Sequence, residues 1–511
     1  MTFEIVFVLL SLLGMVAALI ADKMRPGMIL FSVVVLFLCA GILTPKEMLE
    51  GFSNKGMITV ALLFLVSEGI RQSGTLGQVI KKLLPQGKTT VFKAQLRILP
   101  SVAFISAFLN NTPVVVIFAP IIKHWAKSVN LPATKFLIPL SYVTILGGIC
   151  TLIGTSTNLV VHGMILEAGF EGFSMFELGK VGIFIAIAGI IYIFLFSKRL
   201  LPDARPDTAV PDEEVEEGEK LHRVEAVLGA RFPGINKKLS DFNFQRHYGA
   251  EVKEIKTRNG QRYVNHLEDV VLREGDTLVV MADDTFIPTW GESSVFVLLT
   301  NGNDPDTSGK KKRWLALILL VLMIVGATVG ELPATKEMFP DIKLDMFFFV
   351  CITTIIMAWT NIFPARKYTK YISWDILITI ACAFAISKAM VNSGVADCVA
   401  GFIIGLSDDY GPHVLLAILF VITNLFTELI TNNAAAALAF PLALSISAQL
   451  GVSPTPFFVV ICMAASASFS TPIGYQTNLI VQGIGNYKFT DFVRIGLPLN
   501  IITFLISVIL I

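Results

Sequence analysis

The sequence has few charged residues and no recognisable catalytic motif. Only 15% of its 511 residues are Asp, Glu, Lys or Arg, and 54% are hydrophobic, whereas soluble chains carry about a quarter charged residues. A formal net charge of +1 gives no reason to expect nucleic-acid binding. The six cysteines lie in apolar segments without a CxxC pair, which argues against a disulfide framework or a zinc site. Because no Ser/His/Asp set, Walker loop or metal-ligand cluster stands out, we do not expect an enzyme.

Apolar segments of membrane-spanning length recur throughout the chain. A spanning helix needs about 20 mainly apolar residues, and such segments occur in two sets with a polar stretch between them. They predict an all-α polytopic membrane protein. The first set covers roughly 3–20, 27–43, 57–70, 74–85, 91–126, 133–163 and 180–197, and the second covers roughly 314–331, 343–360, 373–390, 394–407, 413–448, 455–482 and 493–511.

The polar stretch between the two sets reads as a small α+β domain. Asp203–Glu219 carries prolines and many acids, which indicates a linker. Apolar residues then alternate in Arg223–Leu228, Asp276–Met281 and Ser294–Leu299, which predicts strands, and Asn259-Gly260 predicts a hairpin turn. The predicted domains are a first transmembrane repeat at 1–200, a linker at 201–219, the inserted domain at 220–302, a linker at 303–313 and a second transmembrane repeat at 314–511.

Polar residues interrupt two apolar segments in each half, in the same order. The first half contains Ser106-Ala-Phe-Leu-Asn-Asn-Thr-Pro113 and then Gly154-Thr-Ser-Thr-Asn158. The second half contains Thr427-Glu-Leu-Ile-Thr-Asn-Asn-Ala434 and then Gly474-Tyr-Gln-Thr-Asn478. The glycines of the two later motifs are separated by 474 − 154 = 320 residues, and other matches recur at 320 or 321. This near-constant offset predicts an internal repeat.

Basic residues in short loops predict how each half is oriented. Basic residues precede the broken segment 91–126, and Lys123 lies near its end, so both ends are expected inside. Asp408 and Asp409 precede the second broken segment, which is expected to start and end outside. Two re-entrant hairpins that enter from opposite faces indicate inverted repeats, a common transporter architecture. Lys198 and Arg199 then place the inserted domain in the cytoplasm.

The two hairpin tips, Asn110–Thr112 and Thr431–Asn433, would meet near the bilayer midplane. Amide and hydroxyl oxygens together with free backbone carbonyls suit a cation such as Na⁺, whereas amide and hydroxyl donors suit an oxyanion. Ser106 and Thr427 each lie four residues before the first tip residue, so we expect each on the same helix face as that residue. For any single polar residue, helix–helix contact or helix capping is the alternative interpretation.

Two acidic residues in apolar segments need separate interpretations. Glu68 and Arg71 are three residues apart, and we predict a structural ion pair in preference to a proton relay. Glu428 lies inside the second broken segment. It either pairs with other protein groups or modulates a cation site.

At these motifs the chain resembles the divalent anion/sodium symporter family, which carries Ser-Asn-Thr at both hairpin tips. The triplets here are Asn110-Asn111-Thr112 and Thr431-Asn432-Asn433, each ten residues before a proline, as in that family. The family's Gly-x-Pro-Pro-Asn loops are replaced by the Gly154 and Gly474 motifs. With that departure, the chain resembles a sulfate-permease-like branch that has an inserted cytoplasmic TrkA-C (RCK-C) domain. The resemblance to this branch rests on the segments Asn236–Phe244 and Leu272–Met281 and on the C-terminal Gly485–Pro498.

The resemblance implies a homodimeric symporter in the plasma (inner) membrane that moves a divalent oxyanion with Na⁺ by alternating access. The TrkA-C domain would regulate transport by binding a small cytoplasmic ligand. Loss of the Pro-Pro pair adds hydrogen-bond donors, which favours sulfate over a dicarboxylate. The alternatives are a dicarboxylate or citrate-type symporter, a cation or proton-coupled exchanger regulated by the insert, and an anion sensor that does not transport. H⁺ stays open as the coupling ion.

The resemblance also implies site residues at the positions that match the family motifs. The first Na⁺ site would use Ser106, Asn110, Asn111 and Gly154, its mate Thr427, Thr431, Asn432 and Gly474, and the substrate would contact Asn111, Thr112, Thr155, Asn432, Asn433 and Tyr475.

Overall fold

The computed structural model is mainly helical, with one β-sheet between two helical halves. It describes residues 3–511 apart from ten short gaps. Both predicted linkers lie largely in these gaps, and the predicted turn at Asn259-Gly260 and the predicted marker pair Asp408 and Asp409 lie wholly outside the described residues. The gaps are 22–23, 204–221, 230–231, 258–260, 284–285, 287–289, 291–294, 301–309, 340–341 and 406–410.

The apolar segments form helices, because in lipid a backbone must satisfy its polar groups internally. The helices before the sheet are α1 (Phe3–Ala21), α2 (Pro26–Cys39), α3 (Pro45–Glu50), α4 (Lys55–Gln72), α5 (Thr75–Leu83), α6 (Val91–Ser106), α7 (Asn111–Ser128), α8 (Leu137–Gly148), α9 (Ser156–Glu167) and α10 (Gly179–Leu200). Those after it are α12 (Lys310–Gly330), α13 (Pro333–Met338), α14 (Met346–Trp359), α15 (Tyr368–Tyr371), α16 (Trp374–Asn392), α17 (Val395–Gly405), α18 (Pro412–Leu429), α19 (Asn432–Leu450), α20 (Thr455–Ser466), α21 (Gln476–Gly485) and α22 (Phe489–Leu510).

Seven helical stretches in the described part of the chain are long and apolar enough to cross a membrane. This confirms the prediction of a mainly helical chain with many membrane-spanning segments. The seven stretches are Phe3–Ala21, Pro45–Gln72, Gly179–Leu200, Lys311–Gly330, Trp374–Asn392, Asn432–Leu450 and Phe489–Leu510.

Each broken segment folds as two helices joined by a short turn. In the first half, α6 ends at Ser106 and α7 begins at Asn111. With 16 residues, α6 is roughly 24 Å long, less than the ~30 Å of a bilayer's hydrocarbon core. In the second half, α18 ends at Leu429 and α19 begins at Asn432. That both hairpins re-enter the membrane, and that the halves are inverted, stay predictions.

The two interrupted spans fold around loops with the same hydrogen bonds. In the loop between α8 and α9, Thr151 Oγ1 accepts a hydrogen bond from the Gly154 backbone N–H over 3.2 Å. Asn158 Nδ2 donates to the Thr151 carbonyl over 2.9 Å. Both bonds recur 320 residues later, between α20 and α21, over 3.3 and 3.1 Å. The predicted repeat therefore extends from sequence matches to individual hydrogen bonds.

The sheet between the halves has five strands in the order β3-β2-β4-β1-β5, and each neighbouring pair is antiparallel. An aromatic cluster that includes Phe232, Phe244 and Tyr248 packs on one face. Strands occur where three were predicted, but the domain boundaries and the TrkA-C assignment stay predictions. Its elements are β1 (His222–Leu228), α11 (Phe244–Tyr248), β2 (Glu251–Lys256), β3 (Arg262–Tyr263), β4 (Thr277–Ala282) and β5 (Phe296–Thr300).

The alternating burial predicted for β4 is wrong. All its residues except Met281 are buried. One face of the strand belongs to the aromatic core, which includes Leu278 and Val280. Thr277 and the preceding Gly275 approach α21 at Gly483 and Leu479. Because the second face is covered by a membrane helix, the strand has no solvent-exposed side to produce an alternation.

Candidate substrate and cation site

The first hairpin tip is held by a buried bond between a hydroxyl and an amide. Ser106 Oγ donates to Asn111 Oδ1 over 2.8 Å, and both residues are buried. The expectation that Ser106 shares a helix face with Asn110 is wrong, because α6 ends at Ser106. Asn110 lies in the turn, where its Oδ1 accepts a bond from the Thr112 backbone N–H over 3.5 Å and caps α7.

The second tip repeats this arrangement with more oxygen atoms. Thr427 Oγ1 lies 2.8 Å from Asn432 Oδ1 and 2.6 Å from the Ala465 carbonyl oxygen. A hydroxyl has one hydrogen, so it cannot donate to both acceptors at once. The Thr431 hydroxyl is buried and has no hydrogen-bond partner among the described residues. As in the first half, the expected helix-face relation of Thr427 to Thr431 is wrong, because α18 ends at Leu429.

Two glycines let the interrupted loops approach the tips. A Cβ on Gly154 would lie 2.5 Å from the Gly148 carbonyl oxygen, and a Cβ on Gly148 would lie 2.7 Å from Asn111 Oδ1. A Cβ on Gly474 would lie 2.6 Å from the Thr427 carbonyl oxygen and closer still to Ser468 Oγ. Gly474 therefore packs directly against its tip at Thr427, whereas Gly154 packs on Gly148, which in turn packs on Asn111.

The two halves meet at the hydroxyl of Tyr475. Asn111 Nδ2 donates to this oxygen over 2.6 Å, and Thr155 Oγ1 lies 2.9 Å from it. The Asn432 side chain also interacts with this hydroxyl. Each asparagine therefore directs its Oδ1 toward a hydroxyl of its own tip, while its side chain also reaches one shared centre.

The remaining predicted substrate residues lie across the same junction. Asn433 Oδ1 lies 3.3 Å from Ser156 Oγ and 3.2 Å from Thr157 Oγ1. Thr112 Oγ1 lies 3.4 Å from Gln476 Oε1. Each tip therefore contacts the first turn of the helix that follows the other half's interrupted loop. Among the predicted residues, Asn110 caps α7 and Thr431 Oγ1 has no partner among the described residues. Their roles in binding stay predictions.

Glu428 pairs with protein groups, which is the first of the two interpretations of this residue, and an influence on a cation site stays a prediction. Its carboxylate accepts hydrogen bonds from the backbone N–H groups of Ser470 (2.8 Å) and Thr471 (2.9 Å) and from Asn500 Nδ2 (2.7 Å). These contacts hold the second interrupted loop beside Thr427.

The predicted structural pair of Glu68 and Arg71 is also confirmed. Arg71 Nη2 lies 2.6 Å from Glu68 Oε1.

Several residues of the site were missed by sequence reasoning. Ser141 Oγ of α8 lies 2.9 Å from Thr477 Oγ1 and 2.7 Å from Asn478 Oδ1, which ties the two halves together. No spacing signal marks this contact. Thr151 and Thr471, by contrast, could have been found, because they are equivalent at the same offset of 320.

This arrangement can serve two kinds of ligand. Near the shared centre, amide and hydroxyl groups can donate to an anion without a buried basic residue. Beside each tip, amide, hydroxyl and backbone oxygens are crowded with too few hydrogens to satisfy them all, as at Thr427. Such oxygens can coordinate a hard cation.

Comparison with known proteins shows the family. The chain matches the model of the citrate transporter family over residues 16–445, and again over 338–511. It belongs to the citrate transporter family. The predicted relation to anion transporters is therefore confirmed at this level, and the chain is a multi-pass membrane protein. The narrower sulfate-permease-like branch stays a prediction.

Similar proteins cover nearly the whole chain. An uncharacterized transporter of Synechocystis sp. is 30% identical over 92% of this chain and 90% of its own length. A putative sulfur deprivation response regulator of Chlamydomonas reinhardtii is 28% identical over 94% of this chain and 96% of its own length. A probable sodium/sulfate cotransporter of the same alga is 23% identical over 94% of this chain and 85% of its own length.

Proposed function

We propose that this member of the citrate transporter family is a secondary active symporter that imports a divalent oxyanion, with sulfate as the favoured substrate, together with Na⁺. The single observation that carries the proposal is the double use of two asparagines. Asn111 and Asn432 each direct Oδ1 to a hydroxyl of their own tip. Asn111 also donates to the Tyr475 hydroxyl, and Asn432 interacts with the same oxygen. One residue in each half thus links an oxygen-rich cation pocket to a common anion centre.

This linkage gives a physical reason for coupling. A cation beside Asn111 Oδ1 orients the amide, so that its N–H groups point toward the shared centre. The cation also offsets the charge of a dianion that no buried basic residue neutralises. Binding of the two ions is then mutually favourable, and by linkage each raises the affinity of the other. The probable sodium/sulfate cotransporter among the relatives supports this choice of ions.

The proposed transport cycle follows from the predicted inverted repeat. The hairpins α6–α7 and α18–α19 and the two interrupted spans would move as a transport unit against the outer helices, in a homodimer of the plasma (inner) membrane. The inserted sheet would lie in the cytoplasm and act as a TrkA-C-like regulatory domain with a small-molecule ligand.

Two other functions have a specific observation in their favour. The family is described as one of citrate transporters, which favours a citrate or dicarboxylate substrate. The relative named as a putative sulfur deprivation response regulator favours an anion sensor. A sensor binds the anion without net flux, whereas a symporter of either kind moves it.

The test is uptake of labelled sulfate into proteoliposomes with and without an inward Na⁺ gradient, with succinate as competitor. Sodium-dependent sulfate uptake that succinate does not inhibit supports the proposal. Uptake of succinate without sulfate flux, or strong inhibition of sulfate uptake by succinate, would favour the organic-anion function. Binding of sulfate without flux would favour the sensor. Dependence on a proton gradient alone would replace Na⁺ with H⁺ as the coupling ion.

A further inference from the structure

Tyr475 breaks the equivalence of the two halves at the centre of the site. Its mate in the first half is Thr155, 320 residues earlier, and the hydroxyl oxygens of these two residues lie 2.9 Å apart. Both residues directly precede a helix, α21 and α9. The second half therefore places an aromatic ring where the first half has a small side chain, and Tyr475 is only 8% exposed.

The Tyr475 hydroxyl occupies the position that an anion oxygen would take. It accepts a hydrogen bond from Asn111 Nδ2 and contacts the side chains of Thr155 and Asn432. These are the groups assigned to the substrate in the proposed function. A substrate oxygen bound by these groups must therefore share them with the phenol oxygen or replace it, and the buried ring lies directly beside them.

We propose that Tyr475 determines the size of the transported anion, so that the centre admits a compact tetrahedral oxyanion and excludes a dicarboxylate. This inference rests on the proposed function. The ring supplies the exclusion, because it is rigid and buried at the centre where its hydroxyl contacts Asn111 and Thr155. In the absence of substrate, the hydroxyl bonds to the asparagine amides, which would otherwise be buried without a hydrogen-bond partner.

Substitutions of Tyr475 separate the ring from the hydroxyl. Tyr475→Thr gives the second half the residue of the first and removes the ring, and Tyr475→Ser is a second variant with the same purpose. Tyr475→Phe keeps the ring and removes only the hydroxyl. Tyr192→Phe is the matched control, because that tyrosine donates to the Ile495 carbonyl on α22, away from the tips.

The experiment measures labelled sulfate and labelled succinate uptake by each variant in proteoliposomes. We expect the sulfate-to-succinate uptake ratio to fall at least tenfold in Tyr475→Thr and Tyr475→Ser, and to stay within about threefold of the wild-type ratio in the two Phe variants. An unchanged ratio in both ring-deleted variants, at normal expression, would overturn the inference. Wild-type protein without sulfate uptake would instead defeat the proposed function on which the inference rests.

A separate observation concerns the inserted sheet, which docks on two helices that begin at the site. Glu225 of β1 forms an ion pair with Lys123 of α7, with Nζ 3.0 Å from Oε2. Lys256 of β2 lies 3.4 Å from Oε1 of the same carboxylate. These three side chains are 14%, 24% and 4% exposed. Buried charges are strongly destabilised when one partner is lost, so the contact is held firmly while all three are present.

Close packing extends the same docking surface to α21. A Cβ on Gly275 would lie 3.3 Å from Leu479 Cδ2, and a Cβ on Gly483 would collide with Thr277 Oγ1. Val227 of β1 is buried against the apolar core of the membrane helices. The docking surface therefore contacts α7, which begins at Asn111, and α21, which begins directly after Tyr475.

We infer that the inserted sheet is a brake on transport, and that its release from α7 and α21 speeds the movement of the site. A helix that carries a substrate-binding residue at its start cannot shift relative to the sheet while the ion pair and the packed glycines hold it. On α7 the brake acts through Lys123, about three turns from the tip, so it changes the rate of turnover rather than the binding of ions.

Glu225→Gln tests the brake, and Glu251→Gln is its matched control. Glu251 lies on β2 of the same sheet and pairs with Lys253, but both side chains are about half exposed. Gly483→Val is a second releasing variant, which acts by collision with Thr277 rather than by charge. Hydrogen–deuterium exchange of α7 and α21 reports release independently of transport.

We expect Glu225→Gln and Gly483→Val to raise exchange in α7 and α21 and to raise the maximal uptake rate at least threefold, with the half-saturating Na⁺ and anion concentrations changed less than twofold. The control should match the wild-type protein. Released helices with unchanged or slower uptake would overturn the inference, and so would unchanged exchange in both variants.

Discussion

Thr427 Oγ1 lies 2.8 Å from Asn432 Oδ1, and Ser106 Oγ lies the same distance from Asn111 Oδ1 in the other half. In each case the hydroxyl ends a helix or lies within its last turn, and the amide starts the next helix five residues later. The bond therefore crosses the turn of the hairpin. It fixes the amide oxygen in the pocket proposed for Na⁺.

Thr427→Val removes this hydroxyl while it keeps the shape of the side chain. We expect the half-saturating Na⁺ concentration for uptake to rise by about fivefold or more, which corresponds to loss of a contact worth about 1 kcal/mol. Thr423→Val is the matched control one turn earlier. Thr423 is equally buried, but among the described residues its hydroxyl donates to Leu419 O of its own helix and to no tip residue. Equal shifts in both variants would contradict the assignment of Thr427 to the cation pocket.

Glu428→Gln should weaken both the fold of the second interrupted loop and Na⁺-dependent uptake. The carboxylate accepts bonds from two backbone N–H groups and from Asn500, whereas a glutamine amide offers one oxygen and turns two N–H donors toward other donors. Hydrogen bonds to charged groups contribute about 1.5–3 kcal/mol each. We expect a lower thermal unfolding temperature in detergent and at least a tenfold loss of uptake.

The outcome for Glu428→Gln is informative in both directions. The first half has Ala107 near the corresponding position and forms its loop without a carboxylate. If Glu428→Gln unfolds and transports like the wild-type protein, the carboxylate is dispensable in the second half too. Its contacts with the loop would then be incidental to transport.

Gly154→Ala should block transport through steric overlap. The added Cβ would lie 2.5 Å from the Gly148 carbonyl oxygen, which belongs to backbone and cannot rotate away. Overpacking of this kind costs about 1–3 kcal/mol and displaces the loop from Asn111. Gly14→Ala in α1 is the control, because nothing lies within 4 Å of its added Cβ. Uptake should fall at least tenfold in Gly154→Ala and stay near wild type in the control.

Some features of this molecule were readable from residue identity, and others were not. The offset of 320 identified both interrupted loops, because Gly154, Thr157 and Asn158 recur unchanged in the second half, and an offset of 321 identified the tips through Asn111 and Asn432. It did not identify the ion pair of Lys55 with Asp345. The residues equivalent to these two are Asp375 and Arg25, which also lie together. Because the charges are exchanged between the halves, no match of identity marks these contacts.

The contacts of the inserted sheet with the membrane helices were not predicted from the sequence, for a different reason. Period-two patterns predict strands from the contrast between a buried face and a wet face. On β4 that contrast is absent, because α21 covers the second face. The alternation of apolar residues in Asp276–Met281 predicts the strand itself, but it does not indicate that a membrane helix covers the second face. The predicted helix-face relations of Ser106 to Asn110 and of Thr427 to Thr431 failed for another reason. Each helix ends before the second residue of the pair, so helical spacing does not apply across the turn.

The Glu225 ion pair gives the docked sheet a defined dependence on pH. Burial raises the pKa of Glu225, but Lys123 and Lys256 outweigh it and lower the pKa from its ordinary 4.5 to about 2. A lowered pKa means that the charged carboxylate stabilises the folded protein above pH 4.5 and that this contribution is lost as the pH falls toward 2. The full effect is of order 3 kcal/mol.

We therefore expect the difference in thermal unfolding temperature between wild type and Glu225→Gln to be constant from pH 7 to pH 5 and to shrink below about pH 4.5. The measurement is thermal unfolding of both proteins in detergent across this range, with Glu251→Gln beside them. That control should follow the wild-type curve at every pH, because its exposed ion pair contributes little. A difference that stays constant down to pH 3 would show that Glu225 acts through its shape rather than its charge, since only a titrating carboxylate loses its advantage in acid.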